Sequence, residues 1–176
     1  MFKTVFDTAP LITCCKFEIQ GKPIVDYILD NCNIIIPSTV RTELTIEKEV
    51  YADAVVAEAR IKAERIEVRD VELPADNVLD YYGLGSGEKE AIVLSRALED
   101  EIDFLVIDDK LGYIVCDRLE IRKAFFLDLV LKLLEGKQIA PELVRQIVNA
   151  VRPRYSDGLI RHTLRILEGG DRRCLW

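Results

Sequence analysis

Acidic residues recur where predicted strands end. Asp7 directly follows the predicted strand 3–6, and Asp108 with Asp109 follow the predicted strand 103–107. Ligands of an open parallel sheet bind beyond the carboxyl ends of its strands, and crossover connections can place these two strands side by side. A carboxylate buried there is costly in free energy unless a divalent cation offsets its desolvation and repulsion. The pattern therefore predicts a Mg²⁺ or Mn²⁺ site at this edge.

Two predicted helices add further carboxylates. Glu43 lies beside the apolar stripe of a helix predicted over 38–49. Glu88 and Glu90 open another helix after the glycine-rich turn 83–87, which lacks the spacing of a phosphate-binding loop. On a helical wheel Glu90 lies within the apolar arc and Glu88 nearer its edge, so periodicity favours Glu90 as the inward-facing acid.

Each of these acids also has a purely structural interpretation. Asp7, Asp108 and Asp109 could cap helix N-termini, although two adjacent acids exceed what one cap requires. Glu43 could keep its carboxylate in water at the edge of its stripe, and acids in the first turn of a helix favour its dipole. Taken together, the acidic positions would suffice to hold one or two Mg²⁺ or Mn²⁺ ions.

The elements that must position these acids alternate along the chain. The predicted strands cover 3–6, 33–36, 66–68, 103–107 and 119–121. The predicted helices cover 24–29, 38–49, 52–65, 87–100, 124–135, 141–151 and 159–167. The apolar strand segments do not alternate with polar residues, which is typical of strands covered on both faces. Strands alternating with helices predict βαβ units and a parallel sheet, so we expect an α/β fold.

Composition and charge place limits on the function. The 176 residues suit one domain, and the net charge of −7 argues against a protein that coats nucleic acid. Residues 1–136 contain 16 basic and 27 acidic residues, whereas residues 137–176 contain 8 basic and 4 acidic ones. Five cysteines without a Cys-x-x-Cys pair are expected to be reduced. No segment has the features of a signal peptide or a membrane span, so we expect a cytoplasmic protein without membrane contacts.

Four motifs of the chain resemble those of the PIN-domain (PilT N-terminus) family, which includes toxin ribonucleases of the VapC type. They are Val-Phe-Asp7-Thr-Ala-Pro, Ile-Pro37-Ser-Thr-Val40-Arg-Thr-Glu43-Leu, Gly-Ser-Gly87-Glu88-Lys-Glu90-Ala and Leu-Val-Ile-Asp108-Asp109-Lys-Leu-Gly112. All four occur in the family order across residues 1–112. The later helices are similar to those of a compact PIN subgroup known mainly as predicted nucleic-acid-binding proteins.

The resemblance implies a fold and an activity. The fold would be a three-layer α/β/α domain over 1–176, with a central, mostly parallel five-stranded sheet. Residues 137–176 would form a basic helical extension packed on it. The activity would be Mg²⁺- or Mn²⁺-dependent phosphodiester hydrolysis by a ribonuclease that cuts single-stranded RNA, with single-stranded DNA as the alternative substrate. The rival interpretation is a PIN fold that binds nucleic acid or regulates without cutting it.

The resemblance also implies the site residues. Asp7, Glu43, Glu88 and Asp108 or Asp109 would be catalytic acids that bind the metal, directly or through a neighbour. Glu90 stays an alternative to Glu88, and the choice within the Asp pair stays open. The subgroup often has an arginine where Tyr113 stands, and a glycine-rich turn where Arg122 and Lys123 stand. The candidate contacts for the phosphates of the nucleic acid are Arg122, Lys123, Arg152 and Arg154.

Protein partners are a further expectation of the resemblance. PIN toxins commonly form homodimers and bind small antitoxins. Val144, Ile147, Val148 and Val151 form an apolar stripe at helical spacing that could support such contacts. The simpler interpretation is that this stripe packs on the core of its own domain. The single histidine, His162, lies in the basic segment, where a surface role is the simpler interpretation.

Overall fold

A parallel sheet forms the centre of the protein. The computed structural model describes residues 1–46, 51–75 and 77–170. Seven strands occur in these residues: β1 (Phe2–Phe6), β2 (Glu18–Ile19), β3 (Lys22–Pro23), β4 (Cys32–Pro37), β5 (Ile66–Arg69), β6 (Phe104–Val106) and β7 (Lys123–Ala124). Five of them form a sheet in the order β5-β4-β1-β6-β7, and every neighbouring pair is parallel. Strands β2 and β3 pair as a small antiparallel hairpin.

Helices connect the strands and cover the sheet. The described residues form α1 (Thr8–Lys16), α2 (Ile24–Leu29), α3 (Ser38–Thr45), α4 (Ala52–Lys62), α5 (Ser86–Ala97), α6 (Lys110–Arg118), α7 (Phe126–Glu135), α8 (Pro141–Ala150) and α9 (Asp157–Leu167). Short 3₁₀ turns occupy Val78–Tyr81 and Arg152–Arg154. None of the helices described here combines the length and the apolar character needed to cross a lipid bilayer.

Successive strand residues pack against opposite layers, because side chains alternate across a sheet. In β1, Phe6 joins an apolar cluster with residues of α1, α2 and α7, while Val5 joins a second cluster with residues of α5 and α6. In β4, Ile34 and Ile36 belong to the first cluster and Ile35 to the second. Burial on both faces explains why residues 34–36 of β4 and all residues of β6 are apolar. The predicted α/β class with a five-stranded parallel sheet is confirmed.

The C-terminal helices belong to the first of these clusters. Val144, Ile147, Val148 and Val151 are fully buried beside the same core that contains Phe6. Ile160 of α9 is buried in it as well. The apolar stripe of α8 therefore packs on its own domain, as the simpler of the two interpretations expects.

The prediction of a strand at 119–121 is wrong, because α6 and its C-terminal turn occupy those residues. The backbone N–H of Leu119 donates to the carbonyl of Val115, and that of Ile121 donates to the carbonyl of Cys116. Glu120 between them has a left-handed φ of 58°. The edge strand is β7, two residues further along.

Helix ends also differ from the predicted ones. Helix α3 is described to Thr45, and the end predicted for it at 49 lies outside the described residues. Helix α5 ends at Ala97 rather than at residue 100, where the chain turns back toward β6. The hairpin of β2 and β3 was not predicted, because strands of two residues are too short to show an alternation.

Candidate active site

The strand ends that carry the predicted acids meet at one edge of the sheet. In the parallel pair of β1 and β6, Phe6 lies opposite Val106. The next residue, Asp7, donates its backbone N–H to the carbonyl of Val106 at 3.0 Å. Asp108 follows two residues later on the neighbouring strand. Both carboxylates therefore leave the sheet at its carboxyl edge, where α/β folds bind ligands.

A cleft of 170 Å³ opens at this edge. Its lining includes Asp7, Thr8, Glu43, Gly87, Glu88 and Arg154. The described residues thus bring three of the predicted acids to one cavity and leave Glu90, Asp108 and Asp109 outside its lining. One of the predicted phosphate-binding arginines reaches the same cavity from the C-terminal segment.

Asp7 is a carboxylate of the cleft whose charged form is disfavoured by its surroundings. It is only 2% exposed, and its Oδ1 has no hydrogen-bond partner within the described chain. The pKa of this carboxyl is raised from 3.8 to about 7, mainly by burial, and the charges of Glu88 and Glu43 contribute to the same rise. The backbone N–H groups of Thr8 and Ala9 act in the opposite direction without offsetting burial.

Asp7 stands at the N-cap position of α1 without capping it through its side chain. Within the described residues, that side chain makes no capping hydrogen bond. The structural interpretation of Asp7 as a helix cap is therefore not realised. A buried acid with an unpartnered oxygen requires either a proton or a cation to offset its desolvation.

Glu43 joins the N-terminal ends of two helices. Its Oε2 accepts a short hydrogen bond from the Thr8 hydroxyl at the start of α1. Its Oε1 accepts from the backbone N–H of Gly87 at 3.2 Å and from the Ser86 hydroxyl at 3.3 Å, both at the start of α5. These three donors hold the carboxylate toward the cleft from α3, and helix N-termini favour its negative charge.

Gly87 is required by this close approach. A Cβ atom at residue 87 would lie 2.5 Å from Oε2 of Glu43 and 2.9 Å from its Cδ. The neighbouring Gly83 has open space at the corresponding position. The absence of a side chain at Gly87 therefore lets α5 contact Glu43 through its backbone.

The structure separates Glu88 from Glu90. Glu88 lines the cleft, and its Oε2 accepts from the backbone N–H of Gly85 at 2.8 Å. Glu90 bonds to Thr39 instead, accepting from its hydroxyl at 2.6 Å and from its backbone N–H at 3.3 Å. Glu90 thereby holds α5 against the first turn of α3. The acid that the helical wheel favoured joins the two helices, and the acid that the resemblance favoured faces the cavity.

Asp108 and Asp109 are both bound to helix N-termini. Asp108 accepts from the backbone N–H of Phe126, at the start of α7, at 2.9 Å and from the Tyr155 hydroxyl at 2.5 Å. Asp109 caps α6 by accepting from the backbone N–H of Gly112 at 2.7 Å. Burial raises the pKa of Asp108, and its two donors together with the charge of Arg154 oppose that shift.

The four predicted phosphate contacts occupy different places. Arg154 lines the cleft, and Arg152 is exposed in the same 3₁₀ turn. Arg122 precedes β7 and donates to the carbonyl of Glu99. Lys123 forms an ion pair with Asp117 on α6. Because β7 begins at Lys123, neither of these two follows the carboxyl end of the edge strand, where the sequence prediction had put them.

The carboxylates of the cleft are suitable ligands for a divalent cation, but they are spaced too widely to coordinate one as they stand. Carboxylate oxygens are the ligands of Mg²⁺ and Mn²⁺, and the unpartnered Oδ1 of Asp7 points to an absent cation. Throughout the described part of the chain, however, no three His, Cys, Asp or Glu side chains stand close enough together to hold a metal ion. The residues that would approach one are Asp7, Glu43 and Glu88.

Several residues of this edge were not singled out from the sequence. Thr8 and Ser86 donate to Glu43, and Tyr155 joins the C-terminal segment to Asp108. Hydroxyl groups at helix starts are a usual signal of capping, which is why Thr8 and Ser86 drew no functional interpretation. His162 is half-buried in α9 and lines a second cavity, which also contains Asp108.

Comparison with known proteins points to one family. Residues 3–168 match the family model DUF3368, which is described as a PIN domain. Among solved structures, the chain is similar to a domain of a functionally unknown protein from Methanocaldococcus jannaschii DSM 2661. That likeness has 20% identity and a TM-score of 0.42, covers 71% of this chain and 91% of the other, and carries no functional argument. The search of curated proteins found no match.

Proposed function

The chain belongs to the PIN-domain family, and from this premise we propose that it is a metal-dependent phosphodiester hydrolase that cuts single-stranded RNA. PIN domains are commonly nucleases and generally use divalent metal ions. The observation that carries the proposal is the buried carboxylate of Asp7, which has one unpartnered oxygen and faces Glu43 and Glu88. A protein that needed Asp7 only for folding would be more stable with a neutral side chain there.

In this proposal Asp7, Glu43 and Glu88 would hold Mg²⁺ or Mn²⁺. The bound ion would lower the pKa of a water molecule and offset the charge of the scissile phosphate. Thr8, Ser86 and the backbone of Gly87 fix the orientation of Glu43. The capping bond from Gly85 fixes Glu88. Fixed ligands bind a small hard cation at a lower cost in conformational entropy than mobile ones.

Arg154 supplies the positive charge that the acids lack. It lines the same cleft and is exposed, so its guanidinium can bind a phosphate of the nucleic-acid backbone. The Tyr155 hydroxyl, bound to Asp108, ties the next residue of the chain to the sheet edge. The residue that directly follows Arg154 is therefore held at the edge of the sheet, which limits the positions that Arg154 can take.

The test compares wild type with Asp7→Asn on labelled single-stranded RNA and single-stranded DNA. With Mn²⁺ or Mg²⁺, wild type should cleave RNA and lose that activity in EDTA, whereas Asp7→Asn should lose most of it at unchanged fold. Asp100→Asn, which changes an exposed acid outside the cleft, is the matched control and should cleave like wild type. Purifying all three proteins identically excludes a contaminating nuclease.

A PIN fold that binds without cutting is the second candidate. The observation in its favour is that Asp108 and Asp109 are both bound to helix N-termini and that no tight three-acid group forms in the described residues. If wild type cuts none of the substrates and calorimetry detects no binding of Mn²⁺, this candidate replaces the nuclease. The VapC-type affiliation, a homodimer and an antitoxin-like partner stay predictions of the resemblance alone.

A further inference from the structure

A second cavity adjoins the cleft, between the start of α7 and the outer face of α9. Its lining includes Phe125, Asp128, Leu131, Tyr155, Leu159 and His162. We call it the α7–α9 slot. Most of its surface is apolar, and polar groups interrupt that surface at a few points. A pocket of this kind suits a flat organic group with a polar edge.

Some residues that line the slot are neighbours in sequence or on adjacent strands of residues that line the proposed active site. Asp108, at the end of β6, is part of its lining. Arg154 lines the Asp7 cleft, and the next residue, Tyr155, lines the slot. The two cavities therefore lie beside the carboxyl ends of the neighbouring strands β1 and β6.

One ring of an aromatic pair lines the slot. Phe125, which lines it, is stacked on Tyr113 with ring centroids 4.2 Å apart and planes 3° from parallel. The Nζ atom of Lys123 lies 5.1 Å from the centroid of Tyr113. Leu159 from α9 also lines the slot and is 46% exposed.

The polar groups of the slot match the edge of a base. The Oδ2 of Asp128 accepts only a long hydrogen bond, 3.4 Å, from the backbone N–H of Phe125. This carboxylate can therefore accept another donor, and the exocyclic amino groups of cytosine and adenine are such donors. Uracil has no exocyclic amino group.

We propose that the α7–α9 slot binds a nucleobase that carries an exocyclic amino group, with Phe125 as its stacking surface and Asp128 as its acceptor. The proposal rests on the proposed function, because it assumes that the Asp7 cleft binds a nucleic-acid strand. An apolar side chain of a protein partner is the competing occupant. Such a side chain would offer no further donor to Asp128 and no polar partner to His162, whereas a base supplies both.

The experiment measures the binding of short labelled homo-oligomers of adenylate, cytidylate and uridylate by fluorescence anisotropy. Binding is recorded in EDTA and in Ca²⁺, an oxygen-binding cation, and gels check that the oligomers stay intact. The variants are Phe125→Leu, which keeps apolar volume without a stacking ring, and Asp128→Asn. The matched control is Tyr81→Leu, which removes an exposed aromatic ring outside both cavities. Melting curves verify that each variant is folded.

Wild type should bind the adenylate and cytidylate oligomers more tightly than the uridylate oligomer. Phe125→Leu should weaken binding on the order of tenfold, as expected for the loss of one stacked base, and Tyr81→Leu should leave it unchanged. Asp128→Asn should remove the difference between cytidylate and uridylate. A structural role of these side chains would lower the melting temperature without changing this preference.

Equal binding by wild type and folded Phe125→Leu would overturn the proposal and leave the slot to a protein side chain. Equal affinity of wild type for all three oligomers, or no binding of any, would overturn it too. The proposed function fails separately, by the absence of Mn²⁺-dependent cleavage. A protein that binds these oligomers through Phe125 but does not cut them would support the slot and contradict the nuclease.

Discussion

Asp7 and Asp108 lie at the ends of neighbouring strands, and their surroundings differ: Asp7 is buried and Asp108 is half-buried. Both have a raised pKa because of burial. Asp108 receives hydrogen bonds from Phe126 and Tyr155, so its charge is largely compensated inside the protein. Asp7 keeps an unpartnered oxygen. The fold thus stabilises one carboxylate by itself and leaves the other dependent on a proton or a cation.

A stability measurement can test this difference at Asp7. The pKa of Asp7 is about 7 in the folded protein and near 3.8 in the unfolded chain. Between these values the unfolded chain releases a proton that the folded chain retains, so the free energy of unfolding of the wild type falls as pH rises. Asn does not titrate. In metal-free buffer, Asp7→Asn should therefore gain stability over wild type from about pH 4 to about pH 7 and keep a constant advantage above that.

The advantage should reach about 2–4 kcal/mol, as expected for a shift of this size in a buried group. Chemical denaturation of both proteins at several pH values provides the measurement. Taking the difference removes the contribution of every other titrating group that the two proteins share. A difference that stays flat from pH 4 to pH 7 would show that Asp7 titrates normally.

Gly87 allows a second test at the residue scale. Gly87→Ala places a Cβ atom 2.5 Å from Oε2 of Glu43, so that carboxylate must move. Cleavage should fall on the order of 100-fold, since displacing a catalytic group by about 1 Å has effects of that size. Gly83→Ala, in the same turn but with open space around it, is the control and should retain wild-type cleavage.

At the scale of elements, the sequence predicted the positions of most strands of the sheet. Four of the five sheet strands lie at predicted positions. Two of them, β4 and β6, have three consecutive apolar residues, because these strands are covered on both faces. The fifth, β7, has only Lys123 and Ala124, and the apolar Leu119 and Ile121 that suggested a strand pack instead after α6. A pattern of buried residues cannot distinguish a helix end from a strand when both face the same core.

The site shows the same limit. Asp7 and Glu43 could be predicted because each follows or flanks an apolar segment. Which of Glu88 and Glu90 lines the cleft could not be predicted, because the two acids differ mainly in their hydrogen-bond partners. Glu90 accepts from Thr39 of α3, whereas Glu88 accepts from Gly85 and lines the cleft. Tyr155 lies 47 residues from Asp108, and no local pattern indicates that contact.

The turn after α7 provides a test of local backbone conformation. Gly136 is the C-cap of this helix, and the left-handed position after it belongs to Lys137, which has a φ of 56°. Lys137 is exposed, so its replacement removes few contacts. Lys137→Gly should stabilise the protein by about 0.5 kcal/mol, because glycine adopts this conformation without steric cost. Equilibrium denaturation measures this change, and Lys110→Gly, in the first turn of α6, should instead destabilise the protein.

At the scale of the molecule, the acidic body and the basic C-terminal segment share one core. Ile147 of α8 is fully buried in the cluster that contains Phe6 of β1. Arg154, five residues beyond Asn149, lines the acidic cleft. The opposite charges of the two parts therefore face each other across the candidate site, which lets the basic segment offset part of the repulsion between acids and phosphates.

A core mutation tests whether the two parts unfold together. Ile147→Ala should lower the free energy of unfolding by about 2–4 kcal/mol, through lost burial and a cavity. Unfolding should remain one transition, because α8 and the sheet share a core. Asn149→Ala, on the exposed side of the same helix, should change stability little. Two separate transitions in Ile147→Ala would show that the C-terminal helices unfold on their own.

The hydrogen bond between Tyr155 and Asp108 has a consequence for the order of events during synthesis. Asp108 leaves the ribosome well before Tyr155 does, and until then it lacks one of its two donors. Arg154 is absent from the cleft for the same interval. The growing chain therefore carries the acids of the cleft without the arginine that would hold a nucleic-acid strand there. The proposed site therefore cannot be complete until the C-terminal segment has been synthesised and has packed against the edge of the sheet.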